Sequence, residues 1–159
     1  MSAPVTPYTN DLAGRDPLIA IADTIERVRA LARAWSADRF ERSYAPGKWS
    51  ARQLLIHLAQ IEMGLGCRMR LALTTADYVA QPWDQDRWMG IETHLDGRDA
   101  LDAFAALARM NLVFFKGLTP AQRATSFSHP EYGSLTVDWI IHHLAGHQLH
   151  HLAQLDRIA

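Results

Sequence analysis

Two histidines one helical turn apart are the first residues of this chain whose type and spacing indicate chemistry. His147 and His151 lie within residues 136–158, where recurring apolar residues predict a helix. At about 100° per residue the two imidazoles lie about 40° apart, on the same face as Leu144 and Leu155. That face must be buried, and two neutral imidazoles in an apolar stripe favour metal binding over a solvated surface.

A third histidine completes a candidate ligand set. His57 lies in a predicted helix over residues 51–74 and shares its face with Ile61. In a helical bundle this helix can face the same core as His147 and His151. Three neutral imidazoles around one divalent ion leave a fourth position for water or substrate, which is the open geometry of catalytic zinc sites. The alternative is that each histidine is a hydrogen-bonded structural residue of the core.

Several side chains beside the histidine pair are candidates for supporting roles. His143 could be an alternative ligand or a partner that supports one, and Gln154 could orient a ligand or a bound water. His150 lies farther out on the edge of the apolar stripe. His142 points nearly away from the core, which predicts a solvated side chain.

The run His147-Gln-Leu-His-His151 has the histidine spacing of the zinc-protease motif H-E-x-x-H, but position 148 is glutamine. An amide cannot act as the general base of those enzymes, so the peptidase interpretation fails. Glu62 is the one acid in the helix of His57. It points about 140° away from His57, which favours a surface or interhelical partner over a ligand.

Four long amphipathic segments must position these side chains. Besides the two helices above, apolar periodicity predicts helices over residues 16–36 and 98–116. We therefore predict an all-α fold, an up-down four-helix bundle with one longer connection, residues 77–96, between helices 2 and 3. Trp83 and Trp88 in this connection either line a pocket or plug the end of the bundle.

Residues 16–159 are predicted to form one domain, because 159 residues suffice for one sizeable core. Residues 1–15 carry prolines, a glycine and small polar residues, which predicts a flexible N-terminal arm.

The composition argues against several classes of protein. The formal net charge is -1, which gives no electrostatic support for binding nucleic acid or an anionic membrane. Cys67 is the only cysteine, so no internal disulfide can form. No apolar run approaches the roughly 18 residues that span a bilayer, and the first residues lack the pattern of a signal peptide. We expect a cytoplasmic protein.

Three motifs together resemble the DinB/YfiT-like superfamily. They are Pro46-Gly-Lys-Trp-Ser50, His57-Leu-Ala-Gln-Ile-Glu62 and His147-Gln-Leu-His-His-Leu-Ala-Gln154, and the segment 82–88 also resembles a loop of many members. The resemblance implies a four-helix bundle, commonly a homodimer, in which three histidines hold one divalent metal. Those ligands fall on His57, His147 and His151. Many members carry an acid where Gln60 stands, so no role of that acid transfers to this chain.

The resemblance also implies an activity. Its members include thiol-dependent transferases and an isomerase that use low-molecular-weight thiols. The leading interpretation is therefore a metal-dependent thiol S-transferase in which a thiol attacks a small electrophile, with Arg68 binding an anionic group of the thiol or substrate. The alternatives are a metal-dependent hydrolase and a non-catalytic metal-binding or stress-response protein. Imidazole ligands suit zinc or nickel best here, with iron as a further option.

A second apolar strip on the last helix bears on assembly. It comprises Ile141, Ala145, Leu149 and Leu152, and lies away from the histidine face. This strip predicts a homodimer contact, with burial inside the monomer as the alternative.

Overall fold

The computed structural model describes residues 3–159, which form four long helices, four short helices and one small hairpin. The elements are α1 (Thr9–Leu12), α2 (Pro17–Ala32), α3 (Ala37–Phe40), α4 (Ala51–Thr74), α5 (Gln85–Ile91), α6 (Gly97–Lys116), α7 (Pro120–Arg123), β1 (Ser126–His129), β2 (Gly133–Thr136) and α8 (Val137–Asp156). The four long helices α2, α4, α6 and α8 are those that the periodicity predicts. None of the helices in residues 3–159 combines the length and apolar character needed to cross a bilayer.

The helices begin where their capping residues predict. Asp16 accepts hydrogen bonds from the backbone amides of Leu18 and Ile19, and Pro17 occupies the first turn of α2. Ser50 and Gln53 form a reciprocal capping box at the start of α4. These local signals fix the helix starts independently of the packing between helices.

The long helices pack around one core. Within the described part of the chain, α2 packs against α6 and α8, and α4 packs against the same two helices. Helices α2 and α4 therefore lie on one diagonal of the bundle, and α6 and α8 on the other. Fully buried side chains from several helices fill the centre, among them Leu54, Phe104, Phe115 and Leu144.

The helix directions differ from a simple up-down bundle. Arg52 near the start of α4 donates to the carbonyl of Leu95 just before α6, and Arg70 near the end of α4 lies over the ring of Phe114 near the end of α6. Residue numbers rise together along both helices, so α4 and α6 are parallel neighbours.

The other two directions follow from contacts at the helix ends. Arg98 at the start of α6 donates to the carbonyl of Trp35 just after α2, so α2 runs opposite to α6. The contact of His57 with His151 makes α4 antiparallel to α8. The order along the chain is therefore up, down, down, up, which corrects the predicted up-down order.

The connection between α4 and α6 is long because two parallel neighbours need a chain segment that returns along the bundle. It contains α5, and Val79 forms a bridge with Ser128 of the hairpin. Strands β1 and β2 pair antiparallel, with Ser126 opposite Thr136. The predicted all-α fold does not include this hairpin, because four-residue strands carry no resolvable periodicity.

The N-terminal segment is docked on the bundle over the residues that the structure describes. Leu12 is buried in the core, and the indole nitrogen of Trp139 donates to the carbonyl of Val5 at 2.9 Å. Gly146 permits this close approach, since a Cβ atom there would meet the backbone of Tyr8. The predicted flexible arm is thus a packed segment, and residues 1 and 2 lie outside the described range.

The second apolar strip of α8 is largely buried inside the monomer. Ile141, Ala145 and Leu152 are at most 2% exposed within the monomer. The strip therefore offers no dimer contact, and the homodimer stays a prediction of the resemblance alone.

Candidate metal centre

Three histidines meet at the contact between α4 and α8. The Nε2 atom of His147 lies 2.9 Å from Nε2 of His57 and 3.1 Å from Nε2 of His151. One ring nitrogen from each of the three lies within 4.8 Å of the others. The antiparallel packing of α4 on α8 thus joins the one-turn pair of α8 to the single histidine of α4, as the helical wheels predict.

Burial keeps the three imidazoles neutral. The side chains of His57, His147 and His151 are all at most 7% exposed. Burial lowers the pKa of His57 to about 3 and that of His151 to about 4, and it lowers the pKa of His147 well below the ordinary value. At neutral pH each ring therefore carries one hydrogen and presents one lone pair.

The tautomer of His151 is set by Gln154. The Oε1 atom of Gln154 lies 2.7 Å from Nδ1 of His151, and an amide oxygen can only accept, so Nδ1 carries the hydrogen. The lone pair of His151 is then on Nε2, directed at His147. The supporting role predicted for Gln154 corresponds to this contact.

The amide of Gln154 also connects His151 to the N-terminal segment through further hydrogen bonds. Its Nε2 atom donates to Nε2 of His150 at 3.1 Å, which leaves the His150 hydrogen on Nδ1, 3.2 Å from Oδ1 of Asp11. A chain of hydrogen bonds therefore runs from the Asp11 carboxylate through His150 and Gln154 to His151. Sequence patterns could not identify Asp11, because it lies 140 residues away from His151 in a segment with no periodicity.

The other two rings are held by aromatic packing. Within residues 3–159, Nδ1 of His57 and Nδ1 of His147 have no hydrogen-bond partner. Trp49 packs against the His57 ring at a centroid distance of 4.9 Å, and Tyr8 packs edge-on against the His147 ring at 5.0 Å. These aromatic rings contribute to the burial of His57 and His147. Trp49 lies in one of the motifs that carry the resemblance, whereas no sequence signal indicates Tyr8.

The cluster fits a divalent metal better than a set of hydrogen bonds. Nε2 of His147 faces both other Nε2 atoms, but one nitrogen cannot donate to His151 and accept from His57 at once. No arrangement of hydrogens therefore gives a linear hydrogen bond at both contacts. Ligand nitrogens about 2.0–2.1 Å from a tetrahedral ion lie about 3.4 Å apart, so the two contacts at His147 would need to lengthen by only a few tenths of an ångström.

The remaining histidines of α8 stay outside the cluster. His143 stacks on His147 at a centroid distance of 5.9 Å and on Trp139 at 4.8 Å. His142 is buried and its Nδ1 lies 3.0 Å from the carbonyl of Asp138. The prediction of a solvated His142 is wrong, because α8 is covered on more sides than a helix with one buried stripe.

Glu62 is an interhelical partner and not a member of the cluster. Its carboxylate accepts hydrogen bonds from Gln148 at 2.6 Å and from Asn111 at 2.8 Å. Burial raises the pKa of Glu62, while these two hydrogen bonds oppose the shift. The glutamine that replaces the acid of the zinc-protease motif is thus itself bound to a buried acid from α4.

Two pockets flank the cluster. One, of about 280 Å³, opens beside His151 and is lined by Tyr44, Gly47, Lys48, Trp49, Leu54, His151 and Gln154. The other, of about 210 Å³, lies beyond His143 and is lined by Ile61, Leu65, Arg68, Pro82, Trp83, Gln85, His129, Glu131, Tyr132, Trp139 and His143. Small molecules can therefore approach His151 from the first pocket and His143 from the second.

The fold and the site together define a class of protein: a helical bundle with a candidate three-histidine metal site. Comparison with known proteins identifies the family. The sequence profile of the DinB superfamily matches residues 20–155. This chain belongs to the DinB superfamily.

Two bacterial relatives and one solved structure are similar to this chain. A candidate metal-dependent hydrolase of Oceanobacillus iheyensis is 31% identical over 74% of this chain and 69% of its own length. The candidate metal-dependent hydrolase YfiT of Bacillus subtilis is 24% identical over 77% of this chain and 70% of its own.

A solved structure of YfiT, described as having an unusual four-helix bundle topology, superposes with a TM-score of 0.81 at 19% identity. The match covers 99% of this chain and 90% of that one. At this level of identity the likeness supports the fold.

Proposed function

We propose that this protein is a metal-dependent hydrolase in which His57, His147 and His151 hold one divalent ion. The observation that carries the proposal is the convergence of three neutral Nε2 atoms whose mutual contacts cannot all be linear hydrogen bonds. Relatives named as candidate metal-dependent hydrolases support the same activity.

The chemistry of a hydrolase follows from such a ligand set. A divalent ion held by His57, His147 and His151 would lower the pKa of a bound water to about 7 and would polarise a substrate carbonyl. The chain supplies the rest: burial keeps the imidazoles unprotonated, and Gln154 holds the His151 hydrogen on Nδ1. Trp49 and Tyr8 pack against the His57 and His147 rings.

The absence of a nearby free acid distinguishes this site from the zinc proteases. In the described residues no carboxylate joins the three-histidine cluster, and Glu62 is occupied by Asn111 and Gln148. Hydrolysis here would therefore not use a carboxylate general base. We expect zinc or nickel, with iron as a further option. An all-imidazole ligand set binds all three ions and does not discriminate among them.

Thiol-dependent transfer, the leading interpretation of the sequence, would use the same three ligands. The names of the relatives favour hydrolysis. The experiment must therefore distinguish hydrolysis from thiol-dependent transfer. In transfer, a thiol sulfur forms a bond to the electrophile and the leaving group departs. In hydrolysis, a water oxygen forms that bond.

Metal content tests the ligand set first. Tag-free protein should contain about one equivalent of a divalent ion by mass spectrometry, and His57→Ala and His147→Ala should lose it while remaining folded. His94→Ala is the matched control, since His94 is exposed in the long connection. Metal retained in both cluster variants would contradict the assignment.

Activity is then measured on a panel of carboxylic and phosphoric esters, with and without a low-molecular-weight thiol. We expect cleavage that needs the metal, is lost in His151→Ala and proceeds without thiol. A product that contains the thiol and forms only in its presence would establish transfer instead. Metal binding without any turnover would favour the non-catalytic interpretation.

A further inference from the structure

The pocket beyond His143 contains a buried positive charge. Arg68 is only 8% exposed, lines this pocket and lies over the ring of Trp83, 4.7 Å from the ring centroid. Its Nη2 donates to the carbonyl of Gln81 at 2.8 Å. A buried guanidinium normally has a carboxylate or phosphate as counter-ion, because its desolvation is costly otherwise.

The described residues supply no such counter-ion in direct contact with the guanidinium. Within residues 3–159, no carboxylate lies within ion-pair distance of Arg68. Glu131 is near enough to favour the charged guanidinium, but it is exposed at the rim of the pocket. The guanidinium is therefore left with the carbonyl of Gln81, the nearby hydroxyl of Tyr78 and the face of Trp83, and none of these groups is a carboxylate or phosphate.

A second donor and two indoles complete the pocket. His129 is buried, and its Nδ1 accepts from the amide of Glu131, which places the hydrogen of the neutral ring on Nε2. Trp83 and Trp139 form apolar walls. Gly64 makes room for Trp83, because a Cβ atom at position 64 would lie 2.9 Å from the indole.

We propose that this pocket binds the anionic end of an elongated substrate, with Arg68 pairing a carboxylate and the tryptophans contacting an apolar or aromatic body. That the bound ligand is a substrate rests on the proposed hydrolase function. Anion binding at Arg68 does not depend on that function. This inference assigns Arg68 to recognition and leaves the chemistry to the three-histidine cluster.

The spacing along α4 supports an elongated molecule. Arg68 and His57 lie on one face of the helix, about 16 Å apart along the axis. Ile61 and Leu65 lie between them and line the same pocket. Long side chains on a helix lean toward its N-terminus, so the guanidinium leans toward His57. A ligand that pairs with Arg68 can thus extend along Ile61 and Leu65 to His143, which stacks on His147 of the cluster.

A pair of probes of equal length tests the charge requirement. We would titrate the protein with 4-phenylbutyrate and with the neutral 4-phenyl-1-butanol, following tryptophan fluorescence and calorimetry. We expect the carboxylate to bind at least about tenfold more tightly than the alcohol, since a charge-assisted pair contributes about 1.5 kcal/mol or more. Equal affinity for the two probes in the wild-type protein would overturn the proposal, without any variant having to fold.

Variants locate the site. Arg68→Gln should weaken the binding of 4-phenylbutyrate about tenfold and leave the binding of the alcohol unchanged. Arg68→Lys should have an intermediate affinity for 4-phenylbutyrate, because lysine keeps the charge but lacks the planar guanidinium. Arg70→Gln is the matched control on the same helix, since its guanidinium lies over Phe114 and bonds Asn111. Unchanged affinity in Arg68→Gln would overturn the proposal.

Repeating the titration with metal-stripped protein separates this inference from the proposed function. The anion site should persist without metal, because none of its residues belongs to the cluster. Binding that survives in Arg68→Gln but is lost in His147→Ala would place the carboxylate on the metal centre, and the inference would be wrong. Anion binding at Arg68 without hydrolytic activity would sustain the inference while the proposed function failed.

Discussion

Nδ1 of His151 donates a hydrogen bond to Oε1 of Gln154 at 2.7 Å, and this contact decides which nitrogen of His151 can bind a metal. The amide of Gln154 is itself oriented by His150, and His150 by the carboxylate of Asp11. The orientation of one candidate ligand therefore depends on a residue of the N-terminal segment.

Removing the amide should weaken metal binding without unfolding the protein. In Gln154→Leu, the His151 ring loses the partner that fixes its tautomer, and outer partners of this kind contribute about 10–100-fold to metal affinity. We expect a loss of that size for zinc in competition with a chromophoric chelator. Gln81→Leu, at an exposed glutamine, is the control and should bind zinc as the wild type does. Equal affinities in the two variants would refute the positioning role.

The stability of the metal-free protein should fall as the pH decreases below neutrality. Burial lowers the pKa of His57 to about 3 and that of His151 to about 4. Between about pH 6.5 and pH 4 the unfolded chain binds protons that these folded rings exclude, and each such ring costs up to about 1.4 kcal/mol per pH unit.

Urea denaturation of chelator-treated protein at pH 7, 6 and 5 measures this slope. His147→Leu removes one buried ring whose pKa is also lowered by burial, so its slope should be flatter than that of the wild type. Identical slopes would show that these rings take up protons without unfolding the bundle.

The parts of this fold that the sequence predicts are those set by local periodicity. The four long helices, their caps and the face shared by His147 and His151 follow from spacing within a single segment. The direction of α6 relative to α4 does not, because it depends on how the connection returns along the bundle. The contact of His150 with Asp11 does not follow from local spacing either, because Asp11 reaches His150 only after α1 docks on the bundle. His142 shows the same limit, because a wheel assumes one buried stripe.

The buried amide of Gln60 should lower the stability of the protein. Both atoms of its amide are buried and lack a hydrogen-bond partner within the described residues. Gln60→Leu keeps the volume and removes the unsatisfied groups, so the free energy of unfolding should rise by about 1 kcal/mol. Gln53→Leu, which deletes the capping box of α4, should instead lower it. A loss of stability in Gln60→Leu would mean that the amide has a partner in solution.

The docked N-terminal segment can be displaced by a single methyl group. Gly146 lies in α8 against Tyr8, and a Cβ atom at this position would meet the Tyr8 carbonyl oxygen. Gly146→Ala should therefore push α1 off the bundle and lower the free energy of unfolding by about 1–3 kcal/mol. Hydrogen exchange should show the change directly, through faster exchange of the amides of Leu12 and Ala13, which bond within the segment.

Gly90→Ala is the matched control for this substitution. Gly90 is also helical, but a Cβ atom there would have no neighbour within 4 Å, so the change should be neutral or stabilising by up to about 1 kcal/mol. Displacement of α1 should also remove Asp11 from His150 and uncover the His147 ring, so zinc affinity should fall in Gly146→Ala and not in Gly90→Ala. If α1 exchanges equally slowly in both variants, the segment tolerates the methyl group, and its docking does not depend on the glycine.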